Sequence, residues 1–328
     1  MNRTHSMNQQ KAAGKTVVIT GASSGAGWAM ATELAREGAQ LVLASRRTEA
    51  LAAIAVECEQ LGAKVWTVQT DTREADSVMA LAAAAVSYAG SIDVWINNAG
   101  VLAVGLLEEI PAEVNDSVIM TNLLGYVHGA QAVLPHFKTQ GYGLLINNIS
   151  IGAWLPTPYM AAYSASKFGL DGFTRALRGE LRNHANIHVC NLYPGFLDTP
   201  GMQHAANYTG RELTPSPPLT DPLQVARAVV RLIRHPRTTT TVGIFPHVMR
   251  LAFRSLPSLT VNLTAALLRT YLKKAKETDL TSGNVLTPVE FGTGSHGGWM
   301  NSGLNPSVKK MITGFAVLLI VAGLTRKS

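Results

Sequence analysis

Short apolar runs alternate along this chain with longer stretches whose apolar positions recur every three or four residues. Thr16–Thr20 (TVVIT) is a β-branched run that ends in a glycine-rich turn, the pattern of a buried strand. Trp28 to Glu37 then has helical spacing, with Gly38 as its stop. The alternation repeats. Strands are expected at Gln40–Ala44, Lys64–Gln69, Ile92–Ile96, Gly143–Ile149 and Ile187–Leu192, with a last strand at Thr239–Phe245. Helices are expected at Thr48–Leu61, Ala75–Ala89, Ala112–Lys138, Met160–His184 and Val225–Arg234. Strands and helices in this order predict an α/β fold, a doubly wound parallel sheet of about seven strands covered by helices on both faces. Right-handed crossovers place ligands at the C-terminal strand ends.

Three parts are expected: a polar tail (1–14), a catalytic domain (15–246) and a C-terminal extension (247–328). The 328 residues are 47% hydrophobic and 15% charged, which excludes disorder of the whole chain. Of the two cysteines, Cys58 falls in a helix and Cys190 in a strand, so no disulfide framework is indicated. Met1 to Gly14 lacks an apolar run, so no secretory leader is read and a cytoplasmic protein is expected. The net charge of +7 is uneven, because Pro222 to Lys276 contains no Asp or Glu while Arg and Lys recur through it.

Candidate chemistry begins at the first turn, Thr20-Gly21-Ala22-Ser23-Ser24-Gly25-Ala26-Gly27. Glycines let the backbone approach a pyrophosphate, and the helix that follows offers free N–H groups and the positive end of its dipole. Gly21, Ser23, Ser24, Gly25, Ala26 and Gly27 are the expected dinucleotide contacts. The second strand ends in Ser45-Arg46-Arg47 with no carboxylate for a ribose, so the guanidiniums can pair with a 2′-phosphate and NADP(H) is the expected cofactor. The bland alternative is two solvated arginines at a helix start. Asp71 either accepts from an adenine amino group or caps a helix.

Tyr163-Ser164-Ala165-Ser166-Lys167 places a phenol and an ammonium one helical turn apart. Carbonyl chemistry needs a proton donor while hydride arrives, and a nearby ammonium is expected to lower the phenol pKa. Ser150, after a strand end, can stabilise charge on the substrate oxygen. Asn122, inside a long helix, can kink it and hold a water that serves Lys167.

These motifs, with Asn97-Asn98-Ala99-Gly100 and Tyr193-Pro194-Gly195, resemble the short-chain dehydrogenase/reductase family over about Lys15 to Phe245. The resemblance implies a Rossmann-like fold and a tetrad of Asn122, Ser150, Tyr163 and Lys167. It also implies that Asn98, Ala99 and Gly100 line the cofactor, that Pro194, Gly195 and Thr199 border the nicotinamide, and that the Ala112 and Met160 helices form a dimer or tetramer.

The expected function is hydride transfer between NADP(H) and a carbonyl or alcohol carbon. A noncatalytic NADP-binding regulator is the alternative. Apolar Ile151–Pro156 and Phe196–Met202 either wall a pocket for an apolar substrate or pack internally. The extension combines leucines with basic residues, and Pro257 divides it into two helices. Met311–Leu324 is uncharged but reaches only about 21 Å as a helix, short of a ~30 Å hydrocarbon core. Peripheral contact with an anionic, cytoplasmic membrane face is weighed against a subunit interface. The basic stretch lacks a nucleic-acid docking motif, so no nucleic acid is expected. The scattered histidines give no metal site.

Overall fold

A computed structural model describes residues 12–300, apart from positions 216 and 244. Most of the polar tail and the Met311–Leu324 segment lie outside the described residues.

The chain runs β1 (Thr16–Thr20), α1 (Gly25–Arg36), β2 (Gln40–Ser45), α2 (Thr48–Gln60), β3 (Val65–Gln69), α3 (Ala75–Ala89) and β4 (Val94–Asn97). It continues through β5 (Ala103–Val104), α4 (Ala112–Ile119), α5 (Gly125–Gln140), β6 (Gly143–Asn148), α6 (Ala161–Glu180), β7 (Ile187–Pro194), β8 (Ala206–Asn207), α7 (Pro222–Arg234), β9 (Thr239–Val242), α8 (Phe245–Ser255) and α9 (Pro257–Lys274). Seven strands form one parallel sheet in the order β3-β2-β1-β4-β6-β7-β9. Strand order reverses between β1 and β4, and a cleft opens at their C-terminal ends.

Both faces are buried for the same reason. The inward residues of β1 and β2, among them Val17, Ile19, Leu41 and Leu43, pack against α1, α2 and α7. Val18, Val42, Trp95 and Leu145 point the other way, onto α3, α5 and α6. Between the layers an amide ladder crosses three strands: Asn97 Nδ2 donates to Asn147 Oδ1 (3.0 Å), and Asn147 Nδ2 donates to Asn191 Oδ1 (3.4 Å). Buried amides satisfied this way fix register, because any slip leaves them unpaired.

Several element ends shift by a few residues, and three differences from the pattern reading have a physical cause. The last strand stops at Val242, because Gly243 turns at φ +85°, and Phe245 with Pro246 opens α8 instead. The expected single helix from Ala112 is interrupted by a π-helical turn, Met120–Leu124, between α4 and α5. β5 and β8 form a separate two-stranded parallel sheet, too short to leave a period in sequence.

Helices α8 and α9 divide at Pro257, as expected. Beyond them the chain folds back. Arg211 bridges to Glu277 and Asn207 to Thr281, so residues after α9 are stitched to the segment around β8. Among the described residues no helix is long and apolar enough to cross a membrane.

Candidate active site

The turn after β1 is built around close approach. Gly21 and Gly25 take φ of +68° and +58°, a region costly for residues with a Cβ. Gly27 lies under the turn, where a Cβ would come within 2.2 Å of the Gly21 carbonyl oxygen and 2.7 Å of Asn98 Nδ2. Gly27 lines neither of the cavities described below, so its role is to let α1 approach the turn. Gly27→Ala is therefore expected to separate α1 from the turn, costing several kcal/mol of stability, on the order of an overpacked core site or more. Thermal unfolding and a dinucleotide titration should both register the loss, and a variant with unchanged melting temperature would contradict it. Asn98 ties the turn to the neighbouring strands, donating to the Thr20 and Gly21 carbonyls (3.0 and 3.1 Å) and accepting from Asn148 (2.8 Å). Ser24, at the N-terminus of α1, makes no side-chain cap.

A cavity of about 100 Å³ beside this turn is lined by Gly21, Ser23, Ser24, Ser45, Arg46, Arg47, Asp71, Ala99 and Gly100, among others. The arginines are not simply solvated. Arg46 donates to the carbonyls of Asn284, Val285 and Leu286, and Arg47 to those of Val289, Phe291 and Ser23. Burial lowers the pKa of both. Asp71 caps no helix, since α3 starts at Ala75 after Glu74. Its carboxylate is gripped by Arg73 at 2.6–3.1 Å. Burial works against that charge, but the Arg73 bonds, with Arg46 nearby, outweigh it and hold the pKa below the ordinary value.

The returning C-terminal segment is the part that sequence patterns did not reveal. Asn284, Pro288 and Val289 line this cavity, and Gly25 N–H donates to the Gly294 carbonyl (2.8 Å). Asn284 also borders the second cavity, and its buried Oδ1 has no hydrogen-bond partner among the described residues. An orphaned acceptor, positive-φ glycines, a helix end without a side-chain cap and two arginines together fit an extended anionic ligand with hydrogen-bonding rings.

The second cavity, of about 320 Å³, brings together Ser24, Gly25, Ala26, Asn98, Gly100, Ser150, Tyr163, Lys167, Pro194, Gly195 and Thr199. Ser150 sits at φ +134°, a strained conformation for serine, and its Oγ accepts from Gly152 N–H (3.1 Å). Its side chain shares the cavity with Tyr163. Gly152 makes the approach possible, because a Cβ there would lie 2.9 Å from Tyr163 Cε1. Lys167 is 4% exposed, with Nζ 5.6 Å from the Tyr163 ring centre and 5.2 Å from that of Tyr126.

Burial sets the electrostatics here. It lowers the Lys167 pKa to about 7. It also raises the Tyr163 pKa above the ordinary phenol value, and the neighbouring Ser150 side chain only partly opposes the rise. The expected lowering of that phenol by its lysine is thus corrected for the protein alone: desolvation dominates, and it weakens the ammonium meant to help.

Asn122 is fully buried in the π-helical turn and lines neither cavity. Its Oδ1 accepts from Val101 N–H (2.8 Å) and its Nδ2 donates to the Val101 carbonyl (2.9 Å). In this structure it fixes the backbone beside Gly100. Trp154 and Leu155 are both buried, Trp154 stacking on Tyr193 at 3.9 Å and beneath Arg250, while Leu155 lines the second cavity.

Fold and site define a class. Residues 15–209 match the family model for short chain dehydrogenase, and the chain belongs to that oxidoreductase family. YxnA, an oxidoreductase of Bacillus subtilis, is 30% identical over 296 residues, 88% of this chain and 83% of the relative. The ketoacyl reductase HetN of Nostoc is 32% identical over 233 residues, 71% of this chain and 80% of the relative. Among solved structures, a short-chain dehydrogenase/reductase of Burkholderia phymatum in complex with NAD superposes with a TM-score of 0.65 at 28% identity, covering 82% of this chain and 98% of the other. An alcohol dehydrogenase of Thermococcus sibiricus complexed with 5-hydroxy-NADP gives 0.61 at 30% identity, covering 69% and 95%.

Proposed function

We propose that this protein is an NADP(H)-dependent oxidoreductase acting on the carbonyl or alcohol carbon of an apolar substrate, with Tyr163 as the proton-transfer residue. The observation that carries the reading is the meeting of Ser150, Tyr163 and buried Lys167, its Nζ 5.6 Å from the Tyr163 ring centre, in one cavity whose other wall is the glycine turn and Pro194–Thr199. The nicotinamide, when bound, supplies or accepts the hydride.

In the reducing direction Tyr163 gives its hydroxyl proton to the substrate oxygen as negative charge grows there. Ser150 donates a hydrogen bond to the same oxygen. The Lys167 ammonium offsets the phenolate that remains, and Asn122 holds the Gly100–Val101 backbone in place. In oxidation the same groups run in reverse. A screen of apolar ketones and aldehydes, followed by NADPH absorbance, tests the reading. Tight dinucleotide binding without turnover of any of them would favour a noncatalytic regulator.

The choice of NADP rests on Arg46 and Arg47. A 2′-phosphate offers the arginines bidentate bonds in which both partners are charged, in place of those they make to the neutral carbonyls of residues 284–291. Arg46→Ala is expected to lower kcat/KM for NADPH about 10–100-fold, in line with losing a charged hydrogen-bond partner, while NADH changes little. Equal losses for both cofactors would instead mark Arg46 as a clip for the C-terminal segment.

The reading extends to assembly and place. Met120, Leu124 and Phe168 are exposed apolar residues on the π turn and α6, which supports a homodimer or homotetramer through those helices. Leu251, 68% exposed on a basic helix, supports peripheral contact of the extension with an anionic membrane face. Two buried free thiols accord with a cytoplasmic location.

A further inference from the structure

We infer that the C-terminal extension supplies a second substrate subsite, an apolar cavity walled by α9 that takes the hydrocarbon tail of an extended aliphatic carbonyl compound. The inference rests on the reading of the Tyr163 cavity as the place of carbonyl chemistry, and it adds the substrate class.

A cavity of about 170 Å³ begins where the Tyr163 cavity ends. The two share Leu155, Thr157, Met160, Phe196, Met202 and Phe245 as walls. The larger holds the tetrad's Ser150, Tyr163 and Lys167, while the smaller lies beyond it, toward α8 and α9. Their volumes, about 320 and 170 Å³, jointly fall in the roughly 300–1,000 Å³ range of small-molecule sites. A substrate with its carbonyl at Tyr163 and an apolar chain beyond it spans both.

The chemistry of the smaller cavity selects that chain. Among the described residues no charged side chain lines it. Its polar side chains are largely spent elsewhere. The Tyr271 hydroxyl accepts from Thr214 N–H (2.9 Å) and donates to the Glu212 carbonyl (2.7 Å). Thr264 Oγ1 donates to the Thr260 carbonyl (2.8 Å). Along the α9 wall a polar ligand group would forfeit its water without recovering a partner, whereas methylenes lose nothing, and the polar hydroxyls of Thr157 and Tyr159 lie on other elements. Leu267, Leu268 and Leu272 on α9 line the space and are only half-buried, so they retain apolar surface for a chain to cover.

The wall is held in place. Tyr271 clips α9 to residues 212–214, and Glu212 N–H donates to the Lys276 carbonyl (2.8 Å) just past the helix. The extension thereby becomes a fixed boundary of the substrate space.

The test uses the full chain, NADPH and straight-chain aldehydes of about four to twelve carbons. Each methylene that enters the smaller cavity should raise kcat/KM about fourfold, until the cavity is filled. Leu268→Trp, which fills it, should leave the shortest aldehyde within about twofold of wild type and lower the ten-carbon one about 30-fold or more. If that variant fails to fold, Leu272→Phe narrows the same space. As a second readout without cofactor, decan-1-ol should raise the melting temperature of the wild type but not of Leu268→Trp. A flat chain-length profile, or an equal loss at every length, overturns the subsite. Failure of every aldehyde, the shortest included, would overturn the catalytic reading, and the decan-1-ol shift then decides whether the apolar cavity binds chains.

Discussion

Tyr163→Phe is expected to reduce kcat about 10³-fold, within the 10²–10⁴ range that a positioned proton donor contributes, while dinucleotide affinity stays within about threefold. The substitution deletes one oxygen and little else. The ring keeps its place against the apolar cluster that includes Val101, Ile110 and Val114 and beside Gly152, so the local packing persists. Beyond the oxygen itself the fold gives up only its interaction with the Ser150 side chain, about 1 kcal/mol at most. A drop in turnover without a comparable drop in stability therefore isolates the proton step. Because burial holds the phenol above its ordinary pKa, Tyr163 is protonated across the neutral range in the free protein. Reduction should thus run well at neutral pH, while oxidation, which needs the phenolate, should keep rising toward alkaline pH. Steady-state turnover, a dinucleotide titration and a two-direction pH profile together check this. A variant within tenfold of wild-type kcat would end the proposed role.

Much of this was legible in the sequence, for reasons that differ from residue to residue. Strand and helix periods give the sheet because both faces of β1 and β2 are buried, which leaves continuous apolar runs. The Tyr163–Lys167 spacing is legible because one turn of α6 alone brings them together. Asn122 is half-legible. An amide inside an apolar helix is an oddity, but nothing in the period shows the π turn that presents it to Val101. The partners of Arg46 and Arg47 lie about 240 residues away on a segment without secondary-structure period, bound through carbonyls that every residue type carries. Asn284 belongs to the same class, because a main-chain path, not a residue pattern, brings its amide to the cleft. The raised Tyr163 pKa and lowered Lys167 pKa of the protein alone were not legible, because sequence shows which charges are near but not how much water is excluded.

Lys167→Met should give the opposite pairing of effects, a protein that is more stable and nearly inactive. Lys167 is buried, no acidic side chain stabilises its charge among the described residues, and desolvation alone brings its pKa from 10.5 to about 7. The unfolded chain holds that proton up to the ordinary lysine value. Between about 7 and 10.5 the unfolded state binds more protons than the native one, so native stability rises with pH through that window. Below about 7 both states are protonated and the native state bears the full cost of a buried ammonium, on the order of a few kcal/mol. Methionine matches the length of the side chain and can pack on the Tyr126 and Tyr163 rings, surrendering the cation–π contacts but removing the charge. The gain in melting temperature should therefore be largest near pH 6 and shrink toward pH 10, while kcat falls about 10²-fold or more for want of the charge that balances the phenolate. Thermal unfolding across that pH range, beside turnover at pH 7, makes the comparison. A variant less stable than wild type at pH 6 would show that Lys167 is held as a stabilised cation, and that this lysine was built into the core at no cost to the fold.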